Sequence, residues 1–153
     1  NIMASTYRTG RKKIVDALVK ELKTNINGVA PYNSNIFNNA HGRLKFLDEI
    51  DEYPAICVVA GDETREYQPD GFKWRFLSID IRCYIEDQAD PQEVLALLME
   101  DIERVIDNND VLTYDDTVSP NLKTISLTII TLSTDEGVLA PLGIGEMNVM
   151  VRY

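Results

Sequence analysis

Helical and strand-like stretches in the order α, β, β, α, β, β predict an α+β fold, an antiparallel or mixed β-sheet of four or more strands with two α-helices packed on one face. Three observations carry this expectation. Apolar residues from Tyr7 to Leu22 recur on one arc at about 100° per residue, Leu77 to Ile85 alternates apolar with polar, and Asp90-Pro91-Gln92-Glu93 has the composition of a helix start. The 153 residues suffice for one domain, which at this size buries roughly 70% of its unfolded surface. The composition, 44% hydrophobic and 26% charged, carries no low-complexity run and no repeat. Asn1 and Ile2 ahead of Met3 read as residues added before a native start, which leaves residues 4–153 as a single domain.

The first helix is expected from Tyr7 to Thr24. Tyr7, Ile14, Val15, Leu18, Val19 and Leu22 form its buried arc, Lys12, Asp16, Lys20 and Lys23 face solvent, and Gly28 lies just beyond as a stop. Asn25 to Tyr53 lacks sustained periodicity and closes with the acidic cluster Asp48, Glu49, Asp51 and Glu52. It reads mostly as loop, with Ile36, Phe37, Leu44, Phe46 and Leu47 apolar enough to anchor it or to form a short strand. Pro54 to Ala60 is a short continuous apolar run, as in a strand covered by its neighbours. Gly61 to Gly71 is polar and carries Pro69-Asp70-Gly71, a turn signature, so it reads as an extended hairpin loop.

In Phe72 to Glu86, Leu77, Ile79, Ile81, Cys83 and Ile85 share one face. Phe72, Trp74 and Phe76 fall on the other, which predicts a bulge or a change of buried face near Phe76. The second helix opens at Asp90, which can cap free amides, with Pro91 suited to the first turn and Glu93 at capping-box spacing. Val94, Leu95, Leu98, Met99, Ile102, Val105 and Ile106 make its buried arc, and Glu93, Glu100, Glu103 and Asp107 its outer one. Leu97 lies about 60° outside the buried arc, as a rim residue or an interface contact. Asn121 to Leu132, with Ile125, Leu127 and Ile129 inward, and Gly143 to Tyr153, with Met147, Val149 and Val151 inward, complete the sheet.

The net charge of −10 is unevenly placed: residues 1–23 carry +4 and the rest −14. A globule this acidic repels phosphate, which argues against tight or sequence-specific nucleic-acid binding. The basic first helix is a solvated face or a dock for an acidic partner. No apolar stretch reaches the roughly 18 residues needed to span a bilayer and no signal-peptide pattern is present, so a cytosolic protein with no membrane contact is expected. Cys57 and Cys83 fall inside predicted strands and read as buried free thiols.

Candidate chemistry is sparse. The chain has a single histidine, His41, with no second one for a metal site or a nucleophilic relay. The pairs Asp62-Glu63, Asp115-Asp116 and Asp135-Glu136 sit in predicted turns, where neighbours point apart instead of across a pocket. Asp48 to Glu52 lacks calcium-loop spacing. Gly143-Ile144-Gly145 is followed by a strand, not by the helix of a phosphate loop, and a turn with the start of a strand explains both glycines. Tyr67, Phe72, Trp74 and Phe76 have only Lys73 and Arg75 among them, which suits core packing or a protein interface better than base stacking. No catalytic, cofactor or metal site emerges. A small cytosolic α+β enzyme or ligand-binding domain with a pocket around Trp74 is the alternative from another class.

The richest segment runs from Ser133 to Tyr153. An acidic turn closed by Gly137, a Pro141-Leu142-Gly143 corner and a strand finishing Val149-Met150-Val151-Arg152-Tyr153 follow the long strand Asn121 to Leu132. This pattern resembles the tail terminator proteins of long-tailed, siphovirus-type bacteriophages. The resemblance covers most of the chain in element order and is specific in Thr134 to Tyr153. It implies a virion structural protein with no active site and no cofactor: a homo-hexameric ring on the head-proximal end of a finished tail tube, assembled in the host cytoplasm. Such a ring stops tube polymerisation and offers its other face to a head completion or connector protein, while DNA passes the acidic lumen without specific binding. Another head-to-tail completion protein of similar architecture is the nearer alternative. Candidate interface residues are Lys12 and Lys20 on the first helix, Glu63, Arg65 and Glu66 in the 61–71 segment, Leu97 on the second helix, and Asp135 and Glu136 in the 133–142 loop, since long acidic loops in a compact domain are seldom mere connectors.

Overall fold

The computed structural model describes residues 9–153. Helix α1 spans Gly10–Asn25, with the Thr9 hydroxyl accepting from the Lys12 amide at 3.3 Å to satisfy one of the free first-turn donors. Its buried residues are Ile14, Val15, Leu18, Val19 and Leu22, the arc that the periodicity marks. Tyr7, and the start read from Asn1 to Met3, lie outside the described residues. Beyond the helix Gly28 takes a φ of 85°, a conformation side chains rarely adopt.

The segment after α1 is more anchored than its composition suggests. Ile26, Ile36, Ala40 and Ile50 are buried, β1 (Ala40–His41) adds a short parallel strand, and Leu47–Glu49 makes one 3-10 turn. The expected anchors Phe37 and Phe46 are instead 73% and 63% exposed, and Leu44 is exposed as well. Much of the anchoring is polar: the carboxylate of Asp101, wholly buried on the second helix, accepts from the Asn33 and Ser34 amides at 2.8 and 2.7 Å and from Asn33 Nδ2 at 3.2 Å.

Strands β2 (Ala55–Tyr67) and β3 (Lys73–Glu86) form a long hairpin. Helix α2 (Pro91–Asn108) follows, then a small ribbon of β4 (Thr113–Asp115) and β5 (Leu122–Lys123), and then β6 (Ser126–Thr134) and β7 (Leu142–Arg152). The main sheet has the order β1-β2-β3-β7-β6 and is antiparallel except for β1 against β2, so it is mixed. Helix α1 packs on β1 and β2, and α2 on β3, β7 and β6, both on one face. The Asp90 carboxylate accepts from the Glu93 amide at 3.2 Å, as the helix-start composition requires. Leu95, Leu98, Met99, Ile102, Val105 and Ile106 are buried beneath α2, while Val94 and Leu97 are half-buried.

Several local expectations change. Gly61 to Tyr67 is strand, not loop, and the turn shrinks to Gln68–Phe72, closed by the Gln68 amide on the Phe72 carbonyl at 2.7 Å. The register shift lies in β2, between Ala60 and Glu63, while β3 runs through Phe76 without a switch. Trp74 and Phe76 keep their parity and occupy the sheet face opposite the helices, where the Arg152 guanidinium sits 3.7 Å over the Trp74 ring, while Phe72 falls in the turn. The strand read as Asn121 to Leu132 breaks at Thr124, which turns inward to accept from the Leu112 amide at 2.8 Å and leaves Ile125 45% exposed instead of in the core.

Gly143 and Gly145 lie within β7 on the core face, beneath α2, instead of serving a turn. A Cβ on Gly145 would come within 2.7 Å of Met99 Sδ and 2.9 Å of Cys83 Sγ, so the bare backbone is what lets the helix approach. Ile50, Ala55, Cys57 and Tyr84 form a second cluster under Leu47 and Tyr53. Cys57 and Cys83, both buried thiols, belong to different clusters on opposite faces of the sheet.

Candidate assembly surfaces

The sheet ends in two unlike structures. The last contact of β3 with the β7 end is the Arg75 carbonyl, which accepts from the Tyr153 amide at 3.0 Å, so Glu66–Tyr67 and Lys73–Trp74 are laddered only to each other and extend as a two-stranded arm. At its tip Gln68, Pro69, Asp70, Phe72 and Trp74 line a shallow apolar hollow in which no set of polar groups converges, so it lacks what a ligand or enzyme site needs. Tyr67 and Phe72 are 70% and 69% exposed there.

The root of the arm is pinned. The Glu63 carboxylate accepts from the Tyr153 hydroxyl and, at 2.9 Å, from Arg65 Nε. Burial works to raise the Glu63 pKa, but the hydrogen bonds from Tyr153 and Arg65 outweigh it and hold the group below its ordinary value. Burial, together with the same carboxylate, pushes the Tyr153 hydroxyl well up. Tyr153 also packs edge-on to Tyr114 and lies 5.5 Å from the Arg75 guanidinium. Glu66 is exposed and accepts from Gln68 at 3.1 Å. Glu63 and Arg65 are therefore brought together at the root of the arm, while Glu66, opposite Trp74, lies on its other face.

The opposite end of the sheet carries the turn between β6 and β7. Asp135 organises it, accepting from the Leu139 amide at 3.0 Å, the Ile144 amide at 3.1 Å and Gln92 Nε2 at 3.2 Å. Glu136, at a φ of 56°, is exposed beside Val138, which is 82% exposed. Asp135 is thus engaged within the turn while Glu136 faces outward.

On α1, Lys12 and Lys20 are exposed, and Lys12 pairs with Asp16 at 3.1 Å. Lys13 reaches the buried Asp115 at 2.6 Å across a cleft between α1 and β4 that Lys20 also lines. The Lys13 ammonium, then the Thr117 hydroxyl and amide, hold the Asp115 carboxyl down to about 2. Leu97 is half-buried on α2. Two features escape the motif reading: Asp101, and the exposed apolar edge of β6, where Ile130 and Leu132 are 54% and 48% exposed. The sequence holds a signal for the second, since residues 124–134 contain no charged side chain. No group of three or more His, Cys, Asp or Glu gathers for a metal among the described residues, and no described helix is long and apolar enough to cross a membrane.

A family model described as Bacteriophage Tail Tube Terminator Protein matches residues 8–153. The chain is 39% identical over 151 residues to tail tube terminator protein p142 of Escherichia phage T5, spanning 94% of this chain and 92% of that protein. Among solved structures, a chain of the virion of a native gene transfer agent particle superposes with a TM-score of 0.56 at 9% identity, over 91% of this chain and 96% of that one. At that identity the likeness concerns the fold alone.

Proposed function

The chain belongs to the bacteriophage tail tube terminator family, a structural family and not an enzyme family, and on that premise we propose that it caps the finished tail tube as a homo-hexameric ring at the head-proximal end. The ring stops tube polymerisation and presents its other face to a head completion or connector protein. The observation that carries this reading, beyond membership, is the polarity of the sheet. A cap has to offer different chemistry to tube and head, and here an apolar-tipped arm projects from one end of the sheet while an acidic turn closes the other. The two lateral margins are also unlike, β1 and β2 on one side and β6 on the other, and contact between unlike patches is what closes into a ring instead of a two-fold dimer. The net charge of −10 lets DNA pass a central lumen without adhering.

Complementation tests the reading. A phage lacking its terminator gene should give overlong, headless tails, and supplying this chain in the host cytoplasm should restore uniform, head-joined tails. Uniform, head-joined tails in its absence would overturn it.

A further inference from the structure

The arm leaves the body at two breaks in the sheet. On β2 the register slips between Ala60 and Glu63, and on β3 the contact with the β7 end stops at Arg75. Among the described residues no third strand flanks Glu66–Tyr67 or Lys73–Trp74 beyond those breaks. A two-stranded ribbon is marginal by itself, and its ladder fixes how the strands pair without fixing where the ribbon points. The ladder even sets Arg65 opposite Arg75, a like-charge pair that works against pairing. The direction of the arm therefore has to come from side chains at its root.

Two consecutive residues supply them, one on each face of the sheet. On the helix face the Tyr153 hydroxyl donates to the Glu63 carboxylate, which also accepts from Arg65, and the Arg75 guanidinium lies 5.5 Å from the centre of the Tyr153 ring. Tyr153 is itself held to the body. Its ring stands edge-on to Tyr114 at 5.9 Å, and a Cβ on Gly10, at the start of α1, would lie 3.4 Å from its Cε2. On the opposite face the Arg152 guanidinium sits 3.7 Å over Trp74, the residue across from Glu66. The Arg152 backbone is fixed between Phe76 of β3 and Ser126 of β6.

We propose that Arg152 and Tyr153 are positioning residues, a clamp that grips the arm from both faces and presents its apolar tip in one direction to the partner that the cap recognises. The proposal rests on the capping reading and on the arm's part in it. An arm set in advance docks without first giving up the freedom to swing, so releasing the clamp weakens docking while every contact residue at the tip stays in place.

The test is Tyr153→Phe in the full chain, which removes one hydroxyl, leaves the ring to pack on Tyr114 and lies on the face away from Trp74. Spin labels are placed at Lys73→Cys on the arm and Asn108→Cys at the end of α2, both exposed positions, while Cys57 and Cys83 are buried from the reagent. Pulsed electron paramagnetic resonance should give one narrow distance with Tyr153 in place and a broad distribution after Tyr153→Phe. Without labels, Trp74, the chain's single tryptophan, should shift its emission to the red and open to acrylamide in the same variant. In the complementation assay the unlabelled variant should lower the phage titre at least ~10-fold. If Tyr153→Phe loses its native circular dichroism, Arg152→Ala with the label distance replaces it. An unchanged distance overturns the proposal, even where the urea midpoint falls, because Tyr153 is then only structural. Full titre from a chain whose arm swings free overturns it as well, since the direction of the arm is then not read. Failure of the unsubstituted chain to restore tails overturns the capping reading instead, and is seen before any variant is made.

Discussion

At the scale of single residues, two carboxylates do structural work that neither position advertises. Asp101 holds a loop through charge-assisted hydrogen bonds in a fully buried site, and its removal strands amide donors, so Asp101→Ala should cost about 2 to 4 kcal/mol in urea denaturation. A loss under about half a kcal/mol would show that the loop is held by its apolar anchors alone. Asp115 has its pKa depressed from an ordinary 3.8 to about 2, first by Lys13. A depressed folded-state pKa contributes stability that is complete above about 4 and lost as pH falls toward 2. Lys13→Ala should therefore raise the midpoint of acid unfolding, and an unchanged midpoint would contradict the role given to that pair. Neither carboxylate was legible beforehand: Asp101 sits on a helix whose periodicity says only that its face is intermediate, and Asp115 stands in an acidic pair that reads as a turn.

At the scale of elements, legibility tracks how one-sided the burial is. Helix α2 carried both a cap and an apolar arc, and its start and buried face were readable in advance. Leu98→Ala or Ile102→Ala should cost ~2 to 5 kcal/mol each, measured by thermal or urea unfolding, and less than about half a kcal/mol at both would mean the face was misassigned. The arm was not readable as strand, because Glu63 to Tyr67 lies largely beyond the helices, is polar on both faces and lacks alternation. The glycines of β7 were misread for a related reason: the need for a bare backbone comes from a helix distant in sequence. Gly145→Ala should destabilise by about 1 to 3 kcal/mol, since Met99 and Cys83 already occupy the space, and a neutral result would show that Met99 swings clear. Thr124 broke the β6 reading because its hydroxyl caps the Leu112 amide, a preference invisible to apolar periodicity.

At the scale of the whole molecule, one sheet and two helices produce a body whose sheet ends differ, with an arm at one and an acidic turn at the other. Replacing residues 64–74 by a short turn keeps the helices and the sheet from β3 Arg75 onward, so the shortened chain should fold while failing to cap tubes in the complementation assay. Normal tails from that variant would remove the arm from recognition. The claim on which the rest depends is that this chain forms a six-membered ring at one end of the tail tube. Cryo-electron microscopy of isolated tails assembled with a tagged copy measures it directly. The account predicts a single six-fold layer of the tag, one subunit thick, at the head-proximal end alone; tag spread along the tube, or a tail end carrying no such layer, would contradict it.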